Sequence, residues 1–238
     1  MGKSRYAEIA DAIADDLAGR RAGARVASEH EIATRFGVSR GAARAAMREL
    51  ESRLLVRRVR GSGTFVNQPI DYVISSRRPP SWHQTVRAAG AEPRSVVREI
   101  RTAGLPADLA ARLQRPCGSA AHLLVRQGYI NDLLCGLTTE WIPADILPAA
   151  ADVAVHAVES VDLILRQMAQ VEPVRAWCRV SMDLPPPEVA HVLEVESGRQ
   201  LWLVESLSAD AGTGRPVMCS NSWSRPEMVR MIVEMSEP

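Results

Sequence analysis

Four local signals follow one another between residues 28 and 66, and their order most restricts what this chain can fold into. Residues Ser28 to Glu31 form a capping box, in which the serine hydroxyl and the glutamate carboxylate each accept a backbone N–H at a helix start. Gly37 then ends that helix, and Ser39 caps a second, arginine-rich helix. Two short strands follow, joined by the glycine-rich turn 60–63. This order predicts a helix-turn-helix with a β-hairpin wing.

The regions on either side of this motif complete a two-domain plan. An amphipathic helix from Tyr6 to about Gly19 precedes it, and residues 69–80 contain prolines and paired arginines that indicate a linker. We therefore predict a winged helix-turn-helix over 1–68 and a second domain over 81–238. In that second domain, strand-like runs alternate with two helices, one at about 160–170 and one after the prolines 185–187. The strand-like runs cover residues 95–102, 120–130, 134–142, 174–183, 199–208 and 216–223. The fold class is α+β with an antiparallel sheet.

Charge and composition narrow the classes of partner. Residues 1–68 contain 13 Lys or Arg and 8 Asp or Glu, a formal charge of +5, whereas the rest contains 16 and 20, a charge of −4. The basic N-terminal domain thus indicates double-stranded DNA as a partner. Lys3 is the sole lysine, which argues against pyridoxal-phosphate chemistry. The four cysteines lack C-x-x-C spacing, and no long apolar run or signal-type segment is present, so we expect a cytoplasmic protein that does not enter the membrane.

The predicted DNA-reading residues lie at the start of the arginine-rich helix and in the wing. In a helix-turn-helix the second helix enters the major groove, where a guanidinium can bond both O6 and N7 of guanine. Arg40 and Arg44 are four residues apart and share a helix face, although ordinary solvated charges are the alternative. The full set of candidates, with serines for phosphates and glycines for close backbone approach, is Ser28, Ser39, Arg40, Gly41, Arg44, Arg58, Arg60, Gly61 and Gly63.

These segments, over residues 6–66, resemble the N-terminal domain of GntR-type bacterial repressors. The resemblance rests on the stretches 26–33 (VASEHEIA), 36–40 (FGVSR), 48–51 (RELE) and 61–66 (GSGTFV). Ala27 replaces the usual proline, and His30 replaces an arginine through which the family contacts DNA. The resemblance therefore implies DNA binding, but it leaves a base contact at His30 open.

The second domain is similar to the UTRA effector domain of the HutC branch, which implies a chorismate-lyase-like fold that binds a small molecule and dimerises. The similar segments are 89–90, 124–126, 140–143, 214–217 and 220–223, with Ser160 opening a helix. The other major branch has an all-helical sensor, often with a metal site. The strand-rich pattern after residue 95 disfavours that branch, and the histidines lack ligand spacing, so we predict no metal and no cofactor.

The resemblance also implies which residues face the effector. Arg126 would hold an anion and Ser160 would add helix N-terminal donors, with Ser81 and Thr85 at the edge of the pocket and Thr138, Glu140, Ser220 and Ser222 on its wall. A structural ion pair is the alternative for Arg126. Gly128 and Met218 replace a second arginine and a late glutamate of the family, which indicates a different or less charged ligand. Segments 70–72, 82–84 and 87–90 resemble phosphonate-metabolism regulators, which implies a phosphonate or phosphate-ester effector.

These observations predict a homodimeric repressor that binds an inverted-repeat operator and is released by a small effector. Two alternatives come from other classes. One is a chorismate-lyase-like enzyme tethered to DNA, although no acid/base pair or activated nucleophile stands out. The other is a nucleoid-type protein that binds any DNA sequence with equal affinity at matched salt concentration.

Overall fold

The computed structural model describes residues 4–20, 23–59, 61–67, 69–75, 81–147 and 161–234. They form two compact units, Met1–Pro69 with Pro226–Met228, and Ile70–Arg225 with Val229–Pro238. Arg60 and Ser160, both among the predicted site residues, lie outside the described residues.

The first unit contains three helices and a two-stranded hairpin. Their bounds are Arg5–Leu17 (α1), Glu29–Phe36 (α2), Arg40–Ser52 (α3), Val56–Val59 (β1) and Gly63–Val66 (β2). The apolar faces of the helices meet in one core, in which Ile9, Ile32 and Leu50 are almost completely buried. Val56 and Val66, opposite each other in the hairpin, close this core from the side of the strands. The predicted winged helix-turn-helix is confirmed, with element ends within about two residues of the expected ones, the usual uncertainty of such ends.

The second unit is built on a six-stranded antiparallel sheet. Its strands run in the spatial order β4-β5-β6-β9-β8-β7, and they are Pro93–Gly104 (β4), Ala120–Ile130 (β5), Leu133–Pro143 (β6), Pro173–Asp183 (β7), Leu201–Asp210 (β8) and Pro216–Ser224 (β9). Each overlaps a strand-like run of the sequence to within about two residues at either end, so the α+β class with an antiparallel sheet is confirmed.

Helices cover both faces of this sheet. On one face Ile164 and Leu165 of helix α6 (Val161–Met168) pack with Leu124 of β5. On the other face Leu113 of helix α5 (Ala107–Leu113) packs with Cys219 of β9, and a short helix α7 (Pro187–Val192) covers the next part of that face. The face that α6 covers bears polar as well as apolar side chains.

Four described elements were not predicted, namely two helices and two strands. Helix α4 (Trp82–Ala88) and α5 are short, and the sequence pattern did not distinguish them from loops. Within the predicted linker, residues Ile70–Ile74 form strand β3, which pairs in parallel with Val229–Val233 (β10). The linker prediction did not include a strand at these five residues, because β3 is completed by a partner far along the chain that local reading does not find.

Candidate DNA-reading helix and effector cavity

The turn of the helix-turn-helix is built by local hydrogen bonds that the sequence predicts. The Ser28 hydroxyl accepts the Glu31 N–H at 3.3 Å, and the Glu31 carboxylate accepts the Ser28 N–H at 2.7 Å, which completes the capping box. Gly37 ends α2 in the left-handed conformation, at φ 62°, where glycine is least strained. The Ser39 hydroxyl then accepts the Ala42 N–H at 3.2 Å and starts α3. Both serine hydroxyls thus cap helices.

Helix α3 buries one face and exposes arginines on the other. Ala43, Ala46 and Met47 are buried in the core, whereas Arg40 and Arg44 are exposed one helical turn apart. Gly41 lies between them and is also exposed. The first turn of α3 therefore offers two guanidinium groups on one accessible face, the arrangement that base readout in the major groove needs.

Glu29, at the first turn of α2, connects the recognition helix to the wing. Its carboxylate accepts hydrogen bonds from Arg44 Nε at 3.2 Å and from Arg58 Nη2 at 3.0 Å. Arg58 also forms an ion pair with Glu51 at 3.2 Å. Burial alone would raise the pKa of Glu29, but the hydrogen bonds from the two arginines outweigh it and hold that pKa below its usual value. Sequence reading did not identify Glu29 as part of this site.

The wing turn depends on glycine at two positions. Gly61 and Gly63 both have positive φ, 76° and 120°, which L side chains rarely adopt. A β-carbon on Gly63 would also lie 3.5 Å from Arg25 Nε, within ordinary contact distance. The predicted glycine-rich hairpin is therefore confirmed as a structural feature, whereas its contact with DNA stays a prediction.

The second unit contains a cavity of about 70 Å³ over the polar part of its sheet, enough for several water molecules at roughly 10–15 Å³ each. Directly paired strand residues share a sheet face, and Arg126, Thr138 and Ser222 form one such row. Glu140 and Ser220 form the next row. All five of these predicted residues line the cavity.

Arg126 and Glu140 form a closed ion pair on the cavity wall. Arg126 donates from Nε to Oε2 at 2.9 Å and from Nη2 to Oε1 at 2.6 Å, and both side chains are buried. The Thr138 and Ser222 hydroxyls lie 3.1 Å apart and are hydrogen bonded. The ion-pair alternative thus describes Arg126 in this structure, because its guanidinium already faces a carboxylate in bidentate geometry.

Two other predicted residues serve a helix rather than the cavity wall. The Ser81 hydroxyl accepts the Gln84 N–H at 3.3 Å and caps α4, and the Thr85 hydroxyl donates to the Ser81 carbonyl at 3.0 Å. Neither is among the lining residues, but Trp82 and His83 between them are. The hydroxyls of Ser81 and Thr85 are turned toward α4, as is usual for a capping residue, so an effector contact by either of them stays a prediction.

Trp82 explains the glycine at position 128. A β-carbon on Gly128 would lie 3.3 Å from Cε2 and Nε1 of the Trp82 indole. The space beside this strand position is therefore taken by an aromatic ring rather than by a second arginine. Beside it, burial and the charges of Arg126 and Arg87 lower the pKa of His83 to about 4, so His83 is neutral at physiological pH and adds no positive charge.

Several cavity residues were missed by sequence reading. Ser206, Ser224 and Ser95 extend the polar rows, and the alternating serines of β9 carry the signal for Ser224, since residues two apart share a strand face. Arg175 and Asp162 also line the cavity, and no local pattern indicates either of them.

Other kinds of site find no support in the described residues. Within these ranges no three histidine, cysteine or acidic side chains gather as a metal site would require. None of the four cysteines is in a disulfide, and burial raises the pKa of the Cys219 thiol to about 11. No described helix has both the length and the apolar character needed to cross a bilayer.

Comparison with known proteins agrees with this two-part organisation. Residues 5–66 match the family model described as "Bacterial regulatory proteins, gntR family", and residues 88–230 match the model of the UTRA domain. The chain is 26% identical over 209 residues to the HTH-type transcriptional regulator GgaR of Escherichia coli K12, covering 87% of this chain and 80% of that protein. It is 24% identical over 179 residues to the HTH-type transcriptional repressor NagR of Bacillus subtilis, covering 75% and 72%. Both are named as regulators, which gives the enzyme alternative no support.

Solved structures show the same fold. The crystal structure of PhnF from Mycobacterium smegmatis superposes with a TM-score of 0.65 at 22% identity, covering 97% of this chain and all of that one. The effector domain of the same protein superposes with a TM-score of 0.59, covering 69% of this chain and 100% of that one. With the UTRA model matched over residues 88–230, the chain belongs to the GntR family of bacterial regulatory proteins, in the branch with a UTRA effector domain, and is a DNA-binding transcription regulator.

Proposed function

We propose that this protein is a homodimeric repressor that binds an inverted-repeat operator through α3 and the wing, and leaves the operator when a small effector binds in the cavity of the UTRA domain. The observation that carries the proposal is the pairing of two features within one chain. One is the exposed Arg40 and Arg44 face in the first unit, and the other is the buried polar cavity in the second. The name of the relative NagR as a repressor supports the direction of the regulation.

The dimer follows from the size of a DNA half-site. One recognition helix reads too few base pairs for useful specificity, and a two-fold protein matches two half-sites about one helical turn apart. An effector lowers DNA affinity only if it binds more tightly to a domain arrangement that fits DNA poorly. Binding to the chromosome also places the protein in the cytoplasm.

The experiment selects preferred sequences from a random pool of DNA duplexes with the full chain and measures the mass of the free and bound protein. We expect two half-sites related by a dyad and one dimer per duplex. A preferred sequence without a dyad, or a bound monomer, would contradict the dimer. Equal affinity for selected and random duplexes at matched salt would favour the nucleoid-type alternative.

The Arg40→Ala variant tests which residue reads the bases. Loss of a bidentate guanine contact weakens binding to the selected sequence by about 1 to 3 kcal/mol in each half-site, which is roughly 5- to 150-fold in affinity. Binding to random DNA should stay nearly unchanged. Arg5→Ala is the matched control, because it removes the same charge from an exposed arginine of α1. An equal loss on selected and random duplexes would show that Arg40 contacts phosphate rather than a base.

A further inference from the structure

Three residues that line the cavity each have a buried polar atom without a hydrogen-bond partner among the described residues. The atoms are Nε1 of Trp82, Nε of Arg175 and Oδ1 of Asp162. More than nine in ten buried polar groups in proteins are paired. Two donors and one acceptor left over in one cavity therefore point to a ligand that supplies the missing partners.

A β-bulge directs Arg175 into the cavity. Arg175 pairs with Ser208 and Trp177 pairs with Leu207, so the extra residue Ala176 interrupts the alternation of β7. As a result Arg175 is 9% exposed and Trp177 is 40% exposed, although residues two apart in a regular strand share a face. The bulge thus places a guanidinium inside the domain, where a charge is costly without a counter-ion.

Arg175 has no such counter-ion within the described part of the chain. Its Nη2 donates to the Tyr72 hydroxyl at 3.2 Å, which is a neutral partner. The centroid of the Tyr72 ring lies 6.0 Å from Cζ of Arg175. The same centroid lies 6.3 Å from the centroid of the Trp82 ring. Tyr72 therefore lies next to both residues, which places the two unpartnered donors in the same part of the cavity.

Two other cations of this region, Arg126 and Arg166, already have carboxylate partners. Arg126 pairs with Glu140, and Arg166 pairs with both Asp162 and the exposed Glu172. Asp162 accepts from Arg166 Nε at 3.1 Å through Oδ2, which leaves Oδ1 open. The described wall therefore presents one uncompensated cation, one extra indole donor and one spare carboxylate oxygen. A phosphate monoester, with a charge close to −2, would need a second free cation.

We propose that the effector is a small monocarboxylate that also carries a hydrogen-bond donor, either a hydroxyl or an ammonium group. The carboxylate takes the Arg175 and Trp82 donors, and the hydroxyl or ammonium group donates to Asp162 Oδ1. This inference rests on the proposed effector-responsive function and differs from the phosphonate or phosphate-ester effector that the family resemblance implied.

The first test uses the ligand-free full chain and measures its thermal unfolding. Arg175→Met removes the uncompensated charge and keeps most of the side-chain length, so we expect a higher midpoint than in the wild type. Arg101→Met is the control, because Arg101 is an exposed strand arginine paired with Glu99. A midpoint lowered by Arg175→Met more than by Arg101→Met would show that Arg175 is a structural residue and would overturn the inference, even if no ligand is found.

The second test is a thermal-shift panel of 2-hydroxy and 2-amino monocarboxylates, with phosphate monoesters and phosphonates of the same carbon skeletons. We expect a carboxylate at 100 times its dissociation constant to raise the midpoint by about 5 to 10 °C. The shift disappears in Arg175→Met and persists in Arg101→Met. Stabilisation by phosphate compounds and not by carboxylates would overturn the inference while leaving the proposed function intact.

Two conservative variants test the remaining contacts. Trp82→Phe keeps an aromatic ring but removes the Nε1 donor, and loss of a hydrogen bond to a charged group weakens binding by about 10- to 100-fold. Asp162→Asn distinguishes the two donor types, because losing the carboxylate charge weakens an ammonium ligand more than a hydroxyl ligand. Unchanged affinity in both variants would overturn the assignment of these residues.

Discussion

Glu29→Gln tests whether Glu29 holds two arginines away from DNA phosphates in the free protein. Glu29 bonds Arg44 and Arg58, whose side chains are 59% and 41% exposed. With the carboxylate removed, Arg44 loses its hydrogen bond to Glu29 and Arg58 keeps only its ion pair with Glu51, so both guanidinium groups contact phosphate more readily. The repulsion between Glu29 and the DNA backbone also disappears. We therefore expect Glu29→Gln to bind random-sequence DNA more tightly than the wild type.

The magnitude follows from counter-ion release. Each added phosphate contact steepens the plot of log affinity against log salt by about 0.9, so two contacts add up to about 1.8. Between 50 and 200 mM salt, the ratio of variant to wild-type affinity should then change by about tenfold. Loss of two exposed ion pairs lowers the free energy of unfolding by only about 0.4 to 2 kcal/mol, so the variant stays folded.

The assay is fluorescence anisotropy of a labelled random duplex at several salt concentrations. Glu8→Gln is the control, because Glu8 is an exposed acid of the same unit that pairs with Arg5 at 3.1 Å. It changes the net charge equally but lies on α1. A salt dependence that is the same in both variants, or shallower in Glu29→Gln, would refute the reasoning and show that Glu29 positions the arginines for DNA.

Three further predictions concern the UTRA domain. Arg126→Ala leaves the buried Glu140 without its partner, so we expect a loss of about 3 to 5 kcal/mol in chemical denaturation, recovered when both residues are replaced by Met. Gly136→Ala places a β-carbon 2.5 Å from the Trp223 carbonyl oxygen, which should cost at least 1 to 3 kcal/mol; an unchanged denaturation midpoint would contradict this. Because the folded pKa of His83 is depressed from 6.5 to about 4, the unfolded chain binds its proton first as the pH falls. Stability therefore falls from pH 6.5 towards 4, and His83→Gln should flatten that fall.

The winged helix-turn-helix is predictable because its signals are local. The capping box joins Ser28 to Glu31, three residues away, and Gly37 acts through its own φ. Helical periodicity relates residues three or four apart, so the buried Ala43 and Met47 and the exposed Arg44 follow from one another. Glu29 escaped prediction because the arginines that it joins come from two other elements.

The cavity of the UTRA domain was predictable only in part. The resemblance to the UTRA domain indicated Arg126, Thr138, Glu140, Ser220 and Ser222, all of which line the cavity. Ser81 and Thr85 instead serve the N-terminus of α4. The position of Arg126 in the sequence could not show whether it holds an anion or pairs with a carboxylate. Glu140 reaches Arg126 only through the pairing of β5 with β6.

The sequence by itself thus determined the first domain, the α+β class of the second and the family, since all three depend on spacing within short segments. Tertiary structure alone decided which polar side chains meet in the cavity and which of them lack partners. Arg175 shows the physical reason: one extra residue in β7 turns its guanidinium inward, and its unmet charge depends on side chains contributed by β3, α4 and α6. Such contacts join distant parts of the chain, and no local pattern of residues records them.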